Sequence, residues 1–227
     1  MEHAFSIQES FAFGWRRFKE RPWLFVKAAL LIGAVTIAFN IAGSVLGVLL
    51  KAFSGPAVIF IALLSLALNV FSIYVTVVLN QMGLLTLYLK AHDGVEGLSL
   101  KELWRPHPFW RYFLTNFLVG ICAALGLVLL IVPGVILLLV FSMTAYLILS
   151  RDIRGIDAMK ESARLTKGSR WRLFLLVLAI LLANIAGALC LLVGLFVTAP
   201  VSALAFVHAF RALEAKQEGL SAPVAVP

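Results

Sequence analysis

Four long stretches of the chain contain no Asp, Glu, Lys or Arg, and they dominate its pattern of apolar and polar positions. They cover residues 28–50, 52–89, 112–150 and 173–210. A helix needs about 20 apolar residues to cross a hydrocarbon core of about 30 Å. The first stretch therefore predicts one membrane span, and each of the other three is long enough for two.

Turn-forming residues decide where these stretches divide. Pro133-Gly134 interrupts the third stretch, and Gly194 followed by Pro200 interrupts the fourth. The second stretch has no Gly or Pro between positions 57 and 82, which favours one uninterrupted helix that continues to Lys90. The predicted spans are about 23–50, 56–82, 112–132, 134–149, 173–192 and 197–213.

The charged residues support six spans. Six spans put the N-terminal segment, residues 90–111, residues 151–172 and a short tail at 214–227 on one side. These segments hold every charged residue except Lys51, when Lys27 and Arg211 at the adjoining span ends are counted with them. Basic residues accumulate on the cytoplasmic side of membrane proteins, so both termini are predicted to be cytoplasmic. Composition agrees, because 62% of residues are hydrophobic and 13% charged, against about 25% charged in soluble domains.

A short amphipathic segment precedes each predicted hairpin. These segments are an interfacial helix at 6–20, a second helix that begins at Ser99 and a third at 156–167. Capping-box patterns open the first two, and apolar side chains recur on one face. The prediction is an all-α polytopic membrane domain over 1–213, with three hairpins and short cytoplasmic interfacial helices.

Two short motifs carry a family resemblance. They are Ile131-Val132-Pro133-Gly134 and Leu165-Thr166-Lys167-Gly168, the latter followed by Trp171-Arg172-Leu173-Phe174. With them the chain resembles a group of bacterial multi-pass proteins that includes the membrane domain preceding glycerophosphodiester phosphodiesterase. The resemblance implies a bacterial inner-membrane location. It implies no reaction, because the phosphodiesterase activity of those relatives resides in a separate soluble domain.

A basic and aromatic cluster is the first candidate site. It consists of Lys167, Arg170, Trp171 and Arg172, at the predicted end of a helix and the bilayer interface. Basic residues beside a span attract anionic headgroups by about 1 kcal/mol each. Plain topological anchoring is the alternative role, and both roles involve contact with phosphate.

Polar residues inside the spans are the second candidate. No Asp, Glu, Lys or Arg lies in the middle of a span, which argues against a proton pump or a voltage sensor. Asn40, Asn69, Asn116 and Asn184 remain. They either line a polar path or hydrogen-bond between helices, and the second role is favoured because such bonds are common in membrane bundles.

Candidate chemistry outside the spans is sparse. His92, Asp93, Glu96 and His107 gather in the second charged loop but match no metal-binding spacing, and His208 is a lone histidine. The sequence therefore predicts no cofactor, no metal site and no enzymatic activity. Gly43 and Gly47 form a GxxxG pattern that suits close packing, within the chain or in a homo-oligomer.

The functional hypothesis from sequence is a non-enzymatic inner-membrane protein. Anionic lipid at the cytoplasmic face, or a membrane partner, would be its ligand, in envelope maintenance or scaffolding. The net charge of +8 is attributed to topology and lipid rather than to nucleic acid, because the basic residues flank apolar runs. The alternatives are a transporter of small solutes or lipids and, third, an intramembrane enzyme.

Overall fold

The structure, a computed structural model, describes residues 5–51, 58–104, 109–190 and 193–219. Within those ranges the chain forms helices and no strand, so the all-α prediction is confirmed. A 3-10 helix at Leu100–Trp104 separates α3 from α4. The α-helices are α1 Ile7–Glu20, α2 Pro22–Lys51, α3 Val58–Asp93, α4 Phe109–Leu129, α5 Ile131–Phe141, α6 Thr144–Arg151, α7 Gly155–Leu165, α8 Arg170–Leu189 and α9 Leu195–Gln217.

Six segments of the described chain are long and apolar enough to cross a membrane, as the polytopic prediction requires. α2, α3, α4, α8 and α9 supply one each, and α5 and α6 together supply the fourth in chain order. The described helices extend beyond several predicted bounds: α3 continues to Asp93, α8 begins at Arg170 and α9 continues to Gln217. The turn predicted at Gly55-Pro56 lies outside the described residues.

The buried core lies toward one end of the bundle. We call this end, which carries α1, the 3-10 helix and α7, the charged end. Phe25, Tyr88 and Phe210 are buried there, and Phe25 and Tyr88 stack with their ring centroids 6.0 Å apart. Large apolar side chains elsewhere on α2 and α3, such as Phe39 and Leu66, are exposed. A lipid-facing helix has this character, because lipid tails are as apolar as these side chains.

The reversal between α4 and α5 comes before Pro133, not at it. α4 ends at Leu129, Leu130 is extended, and α5 begins at Ile131, so the predicted boundary between 132 and 134 is wrong. Pro133 lies in the first turn of α5, where its missing N–H breaks no helical hydrogen bond. Gly134 allows the tight hairpin, since a Cβ there would lie 2.6 Å from the backbone nitrogen of Leu127.

The span predicted at 134–149 is not one helix. It breaks between Phe141 and Thr144, and the buried side chain of Ser162 on α7 fills the break. The Ser162 hydroxyl donates to the carbonyl of Val140 at 2.6 Å and accepts from the N–H of Met143 at 3.2 Å. A side chain that satisfies freed backbone groups is what permits a broken helix inside a bundle.

The amphipathic segments contribute to the bundle itself. α1 packs most extensively on α9. The two backbones are in close contact at Gly14, because a Cβ there would lie 2.4 Å from the carbonyl oxygen of Val201. The capping bond predicted for the Ser6 side chain is absent from α1. The α-helix predicted at Ser99 is instead the five-residue 3-10 helix, which contacts α3 at Gly83.

Candidate functional site

The turn between α7 and α8 positions the basic and aromatic cluster. α7 ends at Leu165, and the Thr166 hydroxyl donates to the carbonyl of Ser162 at 2.9 Å. Gly168 has a φ of +84°, a conformation that glycine adopts without steric cost. Ser169 is then buried, and α8 begins at Arg170. The cluster therefore lies on a defined turn and on the first turn of a helix.

The four cluster residues do not share one surface. Lys167 and Arg170 are exposed, and Trp171 is 71% exposed while stacking on Phe174 with ring centroids 5.4 Å apart. Arg172 is directed elsewhere, because its Nη1 donates to the carbonyl of Phe5 at 3.5 Å, just before α1. Arg170 and Trp171 are thus the pair that the structure brings together at one site.

That site is a groove between α5 and α8. Its volume is about 470 Å³, and nearly all of its surface is apolar. Arg170 is the one charged residue among the described residues that line it. The lining residues are Val132, Val135, Ile136 and Leu139 of α5 with Arg170, Trp171 and Phe174 of α8. An apolar trough with a cation and an indole at one side has the chemistry of a lipid site, with room for an acyl chain beside a guanidinium.

The groove was not foreseen from sequence. In a scheme of six upright spans, Val132 and Arg170 would approach opposite membrane surfaces. In the structure, residues 132–139 of α5 and 170–174 of α8 line the same groove. The only sequence signal was the apolar character of α5, which is equally typical of any buried or lipid-facing helix.

The four candidate asparagines lie at separate places. Asn40 and Asn69 face the α2–α3 seam, at a cleft too narrow for water. Asn40 donates to the carbonyl of Thr36 in its own helix at 2.7 Å. Asn184 donates across the α8–α9 contact to the Ser202 hydroxyl at 3.3 Å. They do not line one shared path, and Asn184 has the interhelical role predicted for such residues.

Asn116, on α4, differs from the other three. Its Nδ2 is buried and has no hydrogen-bond partner within the described part of the chain. The clearest interhelical bond belongs instead to Asn80, whose Nδ2 donates to the Thr36 hydroxyl of α2 at 2.7 Å. Among the described residues, Asn80 and Asn184 thus hydrogen-bond between helices, whereas Asn40 bonds within its own helix.

A pair of histidines meets at the charged end, although 116 positions separate them in sequence. His92 Nε2 and His208 Nδ1 are 3.4 Å apart, and the Phe13 ring of α1 stacks on His208 with centroids 4.5 Å apart. Among the described residues, no group of three or more His, Cys, Asp or Glu side chains is placed to hold a metal ion. His107, the other histidine of the predicted loop cluster, lies outside those residues.

An ion-pair network continues from this pair. Arg211 contacts Asp93 at 3.1 Å and Glu214 at 3.1 Å, and Arg151 contacts the same Glu214 at 2.8 Å. The network joins α3, α6 and α9 and surrounds a buried carboxylate. Glu214 pairs with Arg151 of α6, and Arg211 extends the contacts to Asp93 of α3, so the network as a whole joins the three helices. Within the network only Arg211 and Glu214, three positions apart on α9, follow a helical spacing, and no spacing rule links them to Asp93 or Arg151.

Comparison with known proteins adds relatives but no activity. No family model matches the chain, and no solved structure matches it. The chain is similar to an uncharacterised protein of Mycobacterium bovis and to uncharacterised proteins of two Mycobacterium tuberculosis strains. Each is 27% identical over 150 residues, which is 66% of this chain. The match covers 46% of each relative, so the chain spans about half the length of the curated relatives it matches.

Proposed function

We propose that this chain is a non-enzymatic integral membrane protein that binds an anionic phospholipid in the groove between α5 and α8. One observation carries the proposal: an apolar groove of about 470 Å³ has Arg170 as the one charged residue among its described lining residues, with Trp171 beside it. The acyl chain lies along α5, and the phosphate lies at Arg170. Lipid held in this way serves scaffolding or maintenance of the envelope.

The selectivity of the groove comes from charge. Moving an acyl chain from the bilayer into an apolar groove gains little, because lipid and side chains are equally apolar. A basic residue near an anionic headgroup contributes about 1 kcal/mol, which is about fivefold in affinity. Lys167 lies in the turn before Arg170 and adds to the same positive potential. Anionic lipid is therefore preferred over zwitterionic lipid by about fivefold or more.

The location in a bacterial cytoplasmic membrane with both termini cytoplasmic is part of the proposal. Its support is the bias of charge, because all charged residues except Lys51 fall in the segments assigned to one side or at the span ends that adjoin them. Reporter fusions after residue 219 and after residue 50 test it. The proposal expects a cytoplasmic signal from the first and an external signal from the second, and the reverse result overturns it.

A quenching experiment tests lipid binding at the groove. Trp171 is retained as the sole tryptophan, and the protein is placed in phosphatidylcholine nanodiscs that contain 10% phosphatidylglycerol with a brominated chain. We expect brominated phosphatidylglycerol to quench Trp171 more strongly than brominated phosphatidylcholine does. Arg170→Gln should lower that preference about fivefold. Lys160→Gln is the matched control, because Lys160 is exposed on α7 and outside the groove.

A second variant separates the groove from surface charge. Ile136→Trp places a bulky side chain in the groove without changing its charge. For this variant the bound lipids are counted by native mass spectrometry, which does not depend on tryptophan fluorescence. We expect one phosphatidylglycerol fewer per protein than in the parent. If the parent shows no anionic preference, or if both variants retain it fully, the proposal is wrong.

A further inference from the structure

The junction between α1 and α2 contains a second pocket, distinct from the groove. Its volume is about 540 Å³, and polar and apolar side chains both line it. The principal members are Arg21, Trp23 and Lys27 from the junction and the start of α2, with Glu20 from the end of α1 and Ser99 from the following loop. The pocket shares no residue with the groove.

Backbone contacts build this pocket. Arg21 Nη1 donates to the carbonyls of Val95 and Leu98, at 3.2 Å each, and so ties the loop after α3 to the start of α2. Trp23 and Lys27 are four residues apart and share one face of α2. Trp23 is 72% exposed, and Lys27 is exposed with no ion-pair partner in the described ranges.

The lining offers two kinds of recognition. Arg21 and Lys27 supply positive charge for a phosphate. The Glu20 carboxylate and the Ser99 hydroxyl supply acceptors, although Glu20 also pairs with Arg17 at 3.1 Å. A bare phosphate monoester uses only the first kind. A headgroup that carries both a phosphate and a hydroxyl uses both.

The same arrangement occurs at the junction between α7 and α8. In each case an amphipathic helix ends, an arginine and a tryptophan lie at the junction with the next helix, and a cavity opens beside them. We propose that the α1–α2 pocket binds a phospholipid whose headgroup joins a phosphate to a hydroxyl donor, as in phosphatidylglycerol. Lys27 and Arg21 hold the phosphate, and Glu20 and Ser99 accept from the headgroup hydroxyl.

This pocket selects for headgroup structure, whereas the groove selects for charge alone. None of the described residues that line the groove has an acceptor side chain, so any anionic lipid satisfies it. The α1–α2 pocket instead binds phosphatidylglycerol more tightly than phosphatidic acid, which lacks the glycerol hydroxyls of the headgroup but carries at least as much negative charge. Arg170→Gln leaves the pocket unaffected, so the two proposals fail independently.

The test retains Trp23 as the sole tryptophan in phosphatidylcholine nanodiscs that contain 10% brominated phosphatidylglycerol or phosphatidic acid. We expect stronger quenching by phosphatidylglycerol than by phosphatidic acid. Lys27→Gln should weaken phosphatidylglycerol binding about fivefold, and Lys160→Gln should not. Glu20→Gln should reduce the preference for phosphatidylglycerol over phosphatidic acid. Native mass spectrometry of the full-tryptophan protein repeats the comparison without the tryptophan substitutions.

Three results would overturn the proposal. The first is equal or stronger binding of phosphatidic acid, because it would show recognition of charge alone. The second is an unchanged affinity in Lys27→Gln. The third is displacement of the lipid by glycerol phosphate added to the aqueous phase at millimolar concentration, which would identify a site for soluble phosphate rather than for lipid.

Discussion

Ser162→Ala is expected to weaken the bundle by removing the hydroxyl that closes the break between α5 and α6. The side chain is completely buried and makes two hydrogen bonds, to the Val140 carbonyl at 2.6 Å and from the Met143 N–H at 3.2 Å. Alanine keeps the volume of the side chain nearly unchanged. The loss is therefore one of hydrogen bonding and not of packing.

The magnitude follows from the stranded backbone groups. Met143 is itself buried, so its N–H has no access to water once the hydroxyl is gone. A buried donor or acceptor left without a partner costs about 1–3 kcal/mol. We expect Ser162→Ala to lower the free energy of unfolding by that amount.

Ser150→Ala is the matched control for this substitution. The Ser150 hydroxyl oxygen is buried and has no hydrogen-bond partner in the described part of the chain. Removing it breaks no bond and relieves a desolvated polar group, so stability should stay constant or rise slightly. Reversible unfolding in mixed micelles with increasing SDS measures both variants. If Ser162→Ala is as stable as the parent, or Ser150→Ala loses as much, the account of the helix break is wrong.

Three further substitutions test other contacts. Gly14→Ala should loosen α1 from α9 and increase its cleavage by protease, because the new Cβ would meet a backbone oxygen at 2.4 Å; Gly33→Ala, with no atom within 4 Å, should not. Glu214→Gln should cost about 1–3 kcal/mol in the same unfolding assay, since it removes the carboxylate shared by two arginines, and an unchanged stability would refute that role. Asn80→Ala should cost about 0.6–2 kcal/mol by removing the 2.7 Å bond to Thr36, and a neutral effect would refute it.

The candidate site shows where prediction from sequence stops. Lys167, Arg170, Trp171 and Arg172 were singled out together because they are adjacent and basic or aromatic. The structure separates them, since Arg172 is directed to the start of α1 while Arg170 and Trp171 face α5. Local sequence defines which groups are present at a helix start. Which neighbour each group meets depends on how distant helices pack.

Contacts between distant segments could not be predicted from the sequence either. Nothing in the sequence relates His92 to His208, or Ser162 to the break after Phe141, because neither pairing follows a helical or strand period. Turn position was also decided by packing. Pro133 indicated a reversal correctly, but the close approach of Gly134 to α4 puts the turn at Leu130.

The all-α class and the six apolar segments were determined by the sequence alone, because the length of an uncharged run and the cost of burying charge in lipid are local properties. The tertiary structure decided the rest. It placed α1 on α9 through Gly14, split the fourth span around Ser162 and brought the starts of α5 and α8 to one groove. Those arrangements depend on shape complementarity and hydrogen bonding between segments far apart in the chain. The hydrophobic pattern along the sequence predicts neither of these.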